Sequence, residues 1–354
     1  MNGTERIKAV LNGQPVDKIP VSLWKHVPQE DRDIEKFTKK TIELTDENDF
    51  DFVKIQISAA YLTEAYGADI EFNDKEGADY SLTGKTPIGV MFNIKKYPVE
   101  SIEDLDKIQP INVKESQVLQ RDIQVSRNVT EHYKGTKPVI HTLFSALTWL
   151  HYFTRGGADT VKGFIEKDRE AVHRFLKNIN EVNKRLVDAY VEAGVAGFFF
   201  ATSYTSSQVI SDEDYREFCR EYDLDVLNYI KGKTWFNILH IHGNADLNIE
   251  NYLDYPVEAF NWEDVAEGIA PERLTSAAKL RSLTDKVLIG GIDRNYDFVG
   301  TQEEVKARLE KRLENFAKQL PDGKFIFGAG CSLPIDVDTV NVNQIRSVVD
   351  EYKG

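Results

Sequence analysis

The chain has 354 residues, of which 41% are hydrophobic and 29% charged, so it carries ample apolar surface for a sizeable core. A net charge of −14 and a pI near 5.1 exclude sequence-independent binding to nucleic acid or anionic lipid, both of which would repel it. No apolar run approaches bilayer-spanning length, the first residues lack a secretion signal, and two cysteines (Cys219 and Cys331) fit a reducing, cytoplasmic setting.

Eight short runs rich in β-branched or aromatic residues, each bounded by polar or Gly/Pro punctuation, read as strands in chain order. They are Ile19 to Trp24, Phe50 to Gln56, Pro138 to Thr142, Gly197 to Thr202, Phe236 to His242, Val257 to Asn261, Lys286 to Gly291 and Lys324 to Gly328. The sixth is the weakest, being short and charged. Before the first run, Glu5 to Leu11 reads as a short amphipathic helix covering the bottom of the sheet. Helical periodicity fills most gaps: Lys167 to Val195 as one long helix, Asp212 to Ile230 after the cap Ser211, Thr301 to Leu320 before Pro321, and Asp338 to Tyr352. Strand alternating with helix predicts a parallel sheet, and eight units predict a (β/α)8 barrel spanning residues 1–354 as one domain. Residues 58–137 are too long for one connection. They read as an insertion between strands two and three, with an extended piece near Pro87 to Tyr97 and helices around Ser101 to Lys107 and Glu115 to Tyr133.

Barrel chemistry gathers at the carboxyl ends of the strands. Those ends present Trp24, Lys25 and His26; Lys54 and Gln56; His141 and Thr142; Thr202 and Ser203; His240 and His242; Asn261 and Trp262; Gly290, Gly291 and Asp293; and Cys331. His240 and His242 are two apart, so both imidazoles point to one face and can converge on one ion. Cys331 can supply a third ligand, and an open His/His/Cys set suits catalytic zinc better than magnesium or calcium. The same residues also read as hydrogen-bonded strand-end histidines and a small apolar filler, and chemistry alone leaves both readings open. Lys25, His26 and Lys54 can form a cationic wall for a carboxylate, or salt-bridge to nearby acids. His141 reads as an acid/base or as a core histidine. Trp24, Gln56, Thr202, Asn261, Trp262 and Asp293 are candidate substrate contacts, with Asn261 and Trp262 placed to orient a planar ligand. Gly290 and Gly291 permit close backbone approach to a ligand, without the order of a dinucleotide site. His132, His151 and His173 fall on helices and read as surface or packing residues.

The motifs Glu5-Arg6, Gly13-Gln14-Pro15-Val16-Asp17-Lys18-Ile19-Pro20-Val21, His240-Ile241-His242-Gly243-Asn244, Gly290-Gly291-Ile292-Asp293 and Gly328-Ala329-Gly330-Cys331-Ser332-Leu333-Pro334 resemble the uroporphyrinogen decarboxylase superfamily over nearly the whole chain. The resemblance implies a (β/α)8 barrel and one of two chemistries. One branch decarboxylates uroporphyrinogen without a cofactor. The other comprises zinc-dependent methyltransferases that move a methyl group between a corrinoid protein and a thiol or another methyl carrier. The decarboxylase pattern of Arg-Gln-Ala-Gly-Arg after the first strand reads Lys25-His26-Val27-Pro28-Gln29 here, and Ser58 stands where its aspartate falls. The methyltransferase pattern His-x-Cys and a later Cys is met by His240 and Cys331, with His242 as the middle ligand. As a methyltransferase, the chain would hold zinc on His240, His242 and Cys331, bind a small-molecule substrate, and dock a corrinoid protein over the barrel mouth. A homodimer through the rim-side loops is a further implication. As a decarboxylase it would need a protonated Lys25, His26 or Arg294 beside a pyrrole carbon. A barrel that binds without catalysing is the third alternative.

Overall fold

The computed structural model describes residues 1–81 and 87–353. The described residues form nine strands: β1 (Val53–Ile55), β2 (Asp69–Phe72), β3 (Phe92–Lys96), β4 (Val139–Phe144), β5 (Gly197–Thr202), β6 (Ile238–Ile241), β7 (Ala259–Asn261), β8 (Val287–Ile292) and β9 (Phe325–Ala329). Seven of them make one curled parallel sheet in the order β1-β4-β5-β6-β7-β8-β9, while β2 and β3 pair antiparallel on their own. Every strand of the large sheet except β1 follows its neighbour through a segment containing helix, the crossover that parallel pairing requires.

The strand expected over Ile19 to Trp24 does not form a ladder. It makes only the isolated bridges Val21–Phe327 and, just beyond it, Lys25–Leu333. Pro20 has no N–H to donate, and the Val21 N–H is taken by the Asp51 carboxylate at 2.7 Å instead of by a neighbouring strand. The segment nevertheless touches both edges of the sheet. Phe327 N–H donates to the Pro20 carbonyl at 2.9 Å, and Asp51 N–H donates to Val21 at 2.8 Å. Gly328 permits this, since a Cβ there would lie 2.9 Å from the Ser22 carbonyl oxygen.

Alternation sorts each strand onto two faces. Phe52, Ile140, Phe199, Ala201, Ile238, Ala259, Val287, Ile289 and Ile326 form one apolar cluster on the concave face. Their sequence neighbours Val53, Val139, Phe198, Leu239, Phe260, Leu288 and Phe325 join a second cluster with the surrounding helices. The helix α1 (Gly3–Leu11), closed at its start by a capping box of Asn2 and Glu5, inserts Ile7 and Val10 into the concave cluster beside Phe236. It covers the amino ends of the strands, and Arg6 on its flank is buried against Asp51 and Asp17.

The other helices follow the sequence pattern with small changes. The long helix runs Arg169–Glu192 after the cap Asp168, and Gln302–Gln319 is capped by Thr301 with Glu304. Asp212 to Ile230 is helical but contains a π-type stretch at Tyr215–Arg220, and the last helix is split into Thr339–Val342 and Gln344–Glu351. The insertion between β1 and β4 holds the β2/β3 hairpin, a short helix at Pro87–Met91 where extended chain was expected, a 3-10 turn at Ile102–Lys107 and a helix at Gln117–Tyr133. No helix among the described residues is long and apolar enough to cross a membrane.

Candidate metal centre

His240 is the third residue of β6 and points to the concave face, fully enclosed against the Phe199 ring at 4.9 Å. His242 follows the strand, its N–H held by the Thr202 carbonyl at 3.0 Å and its own carbonyl taken by the Thr205 hydroxyl at 2.5 Å. Cys331 follows β9. Gly330 precedes it in a space with no room for a side chain, because a Cβ there would sit 2.6 Å from both the Trp262 carbonyl oxygen and the Glu263 Cα.

These three residues meet. His240 Nε2 and His242 Nδ1 stand 3.3 Å apart, Cys331 Sγ lies 3.9 Å from His242 Nδ1, and all three atoms fall within 4.8 Å of one another. Ligands of a tetrahedral zinc, with bonds of about 2.0 Å to nitrogen and 2.3 Å to sulfur, are separated by about 3.3–3.6 Å. The spacing therefore fits a shared ion with small adjustments.

Asn261, the last residue of β7, decides which imidazole nitrogen is free. Its amide N–H2 donates to two backbone carbonyls, Ile289 and Ala329, each at 3.0 Å, so its Oδ1 must face His240. His240 Nδ1 stands 2.7 Å from that oxygen and carries the proton, which leaves the Nε2 lone pair aimed at His242 and Cys331. Burial opposes the Cys331 thiolate, but the two imidazoles and Arg294 outweigh it and hold the thiol well below its ordinary pKa. Burial also lowers His240, whereas on His242 it is more than offset by the Cys331 thiolate. Two nitrogen donors and a stabilised thiolate form a donor set suited to a borderline-soft metal.

The three groups open onto a cavity of about 490 Å³ at the carboxyl ends of the strands. Trp24, His26, Lys54 and Gln56 line it from the side of β1. Phe144, Tyr152, Phe199, Met91 and Ile335 give it apolar walls, and Met91 brings the β2/β3 insertion over its mouth. Arg294 also lines it, donating to Glu263 at 2.5 Å.

Six residues expected at the site do not line the cavity. His141 lies on the outer face of β4, stacked on Tyr190 at 3.6 Å with Nδ1 bonded to Ser126 Oγ at 2.9 Å; it is a core histidine. Thr202 also faces outward and acts here only through its carbonyl. Lys25 turns away from the cavity towards Leu44 and Phe50, and Trp262 is fully buried with its indole N–H on the Thr275 carbonyl at 2.7 Å. Asp293 shapes its own loop, accepting from the N–H groups of Glu267 (2.5 Å) and Asn295 (2.9 Å). Asn261 is buried beneath His240 and braces it instead of meeting a planar ligand. At Gly290 the close neighbour is the Asp264 carboxylate, which also accepts the Gly291 N–H at 2.9 Å, and at Gly291 it is the Phe316 and Phe327 rings. His151, read from the sequence as a packing residue, lines the cavity from the helix Ala146–Phe153, its ring lying on Gly157.

A parallel α/β sheet with a polar cluster and cavity at its carboxyl ends is the architecture of a large class of enzymes. The profile of the uroporphyrinogen decarboxylase (URO-D) family matches residues 2–352, and the chain belongs to that family. It is 25% identical over 305 residues to a uroporphyrinogen decarboxylase of Chlorobium phaeovibrioides, covering 82% of this chain and 76% of the relative. It is 20% identical over 363 residues to the methylcobamide:CoM methyltransferase MtbA of Methanosarcina mazei, covering 99% and 98%. A solved methyltransferase structure from Methanosarcina mazei superposes with a TM-score of 0.74 at 18% identity, covering 99% of each chain, a likeness of fold. Both kinds of curated relative are enzymes.

Proposed function

We propose that this chain is a zinc-dependent methyltransferase that moves a methyl group between a corrinoid protein and a small thiol or other methyl carrier. Its residues 1–354 would form one (β/α)8 unit, the segment Ile19 to Trp24 closing the seven-stranded sheet. The observation that carries the function is the meeting of His240 Nε2, His242 Nδ1 and Cys331 Sγ with the His240 tautomer fixed by Asn261. When bound, zinc supplies a Lewis acid that holds an acceptor thiol as thiolate at neutral pH. The chain's own residues do the rest. Asn261 keeps Nε2 of His240 unprotonated, the Arg294 charge favours the ionised Cys331, and the aromatic walls exclude water from the reacting end. The open mouth above Met91 and Ile335 is where the corrinoid partner would dock.

The decarboxylase reading is favoured by the relatives of that name, but the cavity supports it less well. A highly carboxylated tetrapyrrole needs several cations to hold it. Among the described lining residues the lysines and arginines are Lys54 and Arg294, and Arg294 is already paired with Glu263. Ser58, at the place of the decarboxylase aspartate, accepts only a local turn bond from the Ala60 N–H at 3.3 Å.

Metal analysis of protein purified without added metal tests the proposal. Stoichiometric zinc is expected in the native chain and none in His242→Ala or Cys331→Ala, with methyl transfer from methylcobalamin to a thiol lost in parallel. Metal-free protein that decarboxylates uroporphyrinogen would overturn it.

A further inference from the structure

A thiol that binds the three-residue cluster as thiolate must give up a proton, and the aromatic walls hold bulk water away from that end. Several polar side chains of the cavity are already committed. Lys54 donates to Gln56 Oε1, so Gln56 turns its N–H2 to His26 Nε2 at 2.8 Å. Burial, with Lys54 nearby, holds His26 down at about 3. That imidazole is neutral and used up as an acceptor; it is not the cation expected from the sequence. His240 Nδ1 is held by Asn261, and Glu263 accepts from Arg294.

His151 is different. It lines the cavity from the helix Ala146–Phe153, and no hydrogen bond reaches its ring among the described residues. The chain makes room for the ring: Gly157 has a φ of 56°, and a Cβ there would lie 2.7 Å from His151 Cε1. Gly157 also opens the helix Gly157–Lys167, whose positive end opposes charge on the imidazole. The titratable groups facing it are Tyr152 on its own helix at 5.3 Å, Tyr204 after β5 at 6.3 Å, and His242, whose field reaches it. Burial pushes both phenols upward, so neither ionises near neutrality. Burial first, and His242 second, lower His151 below its ordinary value, and the ring stands neutral at pH 7. It is outside the group whose ligand atoms fall within 4.8 Å of one another, so its place is beside what the cluster binds.

We infer that His151 is the catalytic base of the transfer, an inference that rests on the methyltransferase reading. As the thiol settles on the cluster its S–H bond breaks, the electron pair stays on sulfur and the proton passes to the free nitrogen of His151. The sulfur pair then bonds the methyl carbon, the pair of the carbon–cobalt bond stays with cobalt, and the imidazolium returns its proton to solvent through the mouth. Such a base lets the site use the protonated thiol, the main species of an ordinary thiol below about pH 8.5, instead of the scarce free thiolate.

Stopped-flow mixing of the purified protein with 2-mercaptoethanol, with an indicator dye reporting the released proton, tests this between pH 6 and 8. The native rate should change little over that range. His151→Gln should be about a hundredfold slower at pH 6 and climb tenfold per pH unit, because it must wait for free thiolate. Zinc content and the final number of protons released should match the native protein. His151→Ala should be slow and regain rate with added imidazole. A native protein that releases no proton overturns the methyltransferase reading and this inference with it. If the proton is released, three results overturn the role of His151 alone: a His151→Gln rate equal to the native one, a slower rate with the flat native profile, or no gain from imidazole.

Discussion

The two ends of the curled sheet solve opposite problems with the same strands. At the amino ends, Ile7 and Val10 of α1 fill the space between Phe52, Phe236 and Ile326, and the buried Arg6 beside them is partnered by Asp51 and Asp17. At the carboxyl ends the space is left open, a lysine is buried without a carboxylate, and three ligand atoms crowd within 4.8 Å of one another. The floor is built for stability and the mouth against it. Grouping an unpaired cation with closely packed donors costs folding free energy, a cost expected where a site must bind something else.

The largest test of that contrast strikes the floor. Asp51 accepts from Arg6, from Arg346 at 2.9 Å and from the Val21 N–H at 2.7 Å. Asp51→Ala removes the buried carboxylate that Arg6 and Arg346 share, leaving them only the more exposed Asp17, Asp49 and Asp350, and should cost about 3–5 kcal/mol in urea unfolding. Zinc content per folded molecule should not change; if it fell in step with stability, the two ends would not be separable.

A smaller effect of opposite sign is expected at the mouth. Burial pulls the Lys54 ammonium from 10.5 to about 7. Below pH 7 folded and unfolded chains both hold the proton, and the folded state bears the full cost of enclosing it. Between there and 10.5 the unfolded chain binds more protons, so stability rises with pH. Lys54→Met should therefore stabilise the protein at pH 6, by on the order of 2–4 kcal/mol, with the gain shrinking towards pH 10. Unfolding curves across that range check the slope, and a variant less stable than the native chain at pH 6 contradicts it.

The finest distinction concerns Asn261, which touches no cavity but fixes His240. Asn261→Leu should reduce zinc affinity about 10–100-fold in chelator competition. A loss of stability without a change in affinity would reduce Asn261 to a packing role.

Much of this arrangement was legible in the sequence, and what was not has physical causes that differ from residue to residue. Parallel strands covered on both faces read as continuous apolar runs, so the sequence shows where β4 and β5 lie without showing which residues point inward. His240 and His242 escaped the ambiguity because their spacing of two makes them share a face whichever way the strand turns. His141 and Thr202 did not, and both proved to face the helices. Asn261 was placed at the right strand end, but its partner is an imidazole that only the β6–β7 register of His240 with Asn261 reveals. His151 was missed because it is carried on a helix. The helix begins with its cap at Ser145, immediately after β4, and that tight join was the signal that its far end returns over the cavity. Pro20 announced that the first run could not be an ordinary ladder strand.

Gly330 places the sulfur under the control of its neighbours. Because a Cβ there would collide with the Trp262–Glu263 backbone, the thiol-bearing turn sits close against the β7 exit instead of hanging free. Exchanging that glycine for alanine would act like a shim, displacing the sulfur while leaving every donor atom chemically intact. The position offers an adjustment screw for the centre, through which its grip on an ion can be loosened by geometry alone.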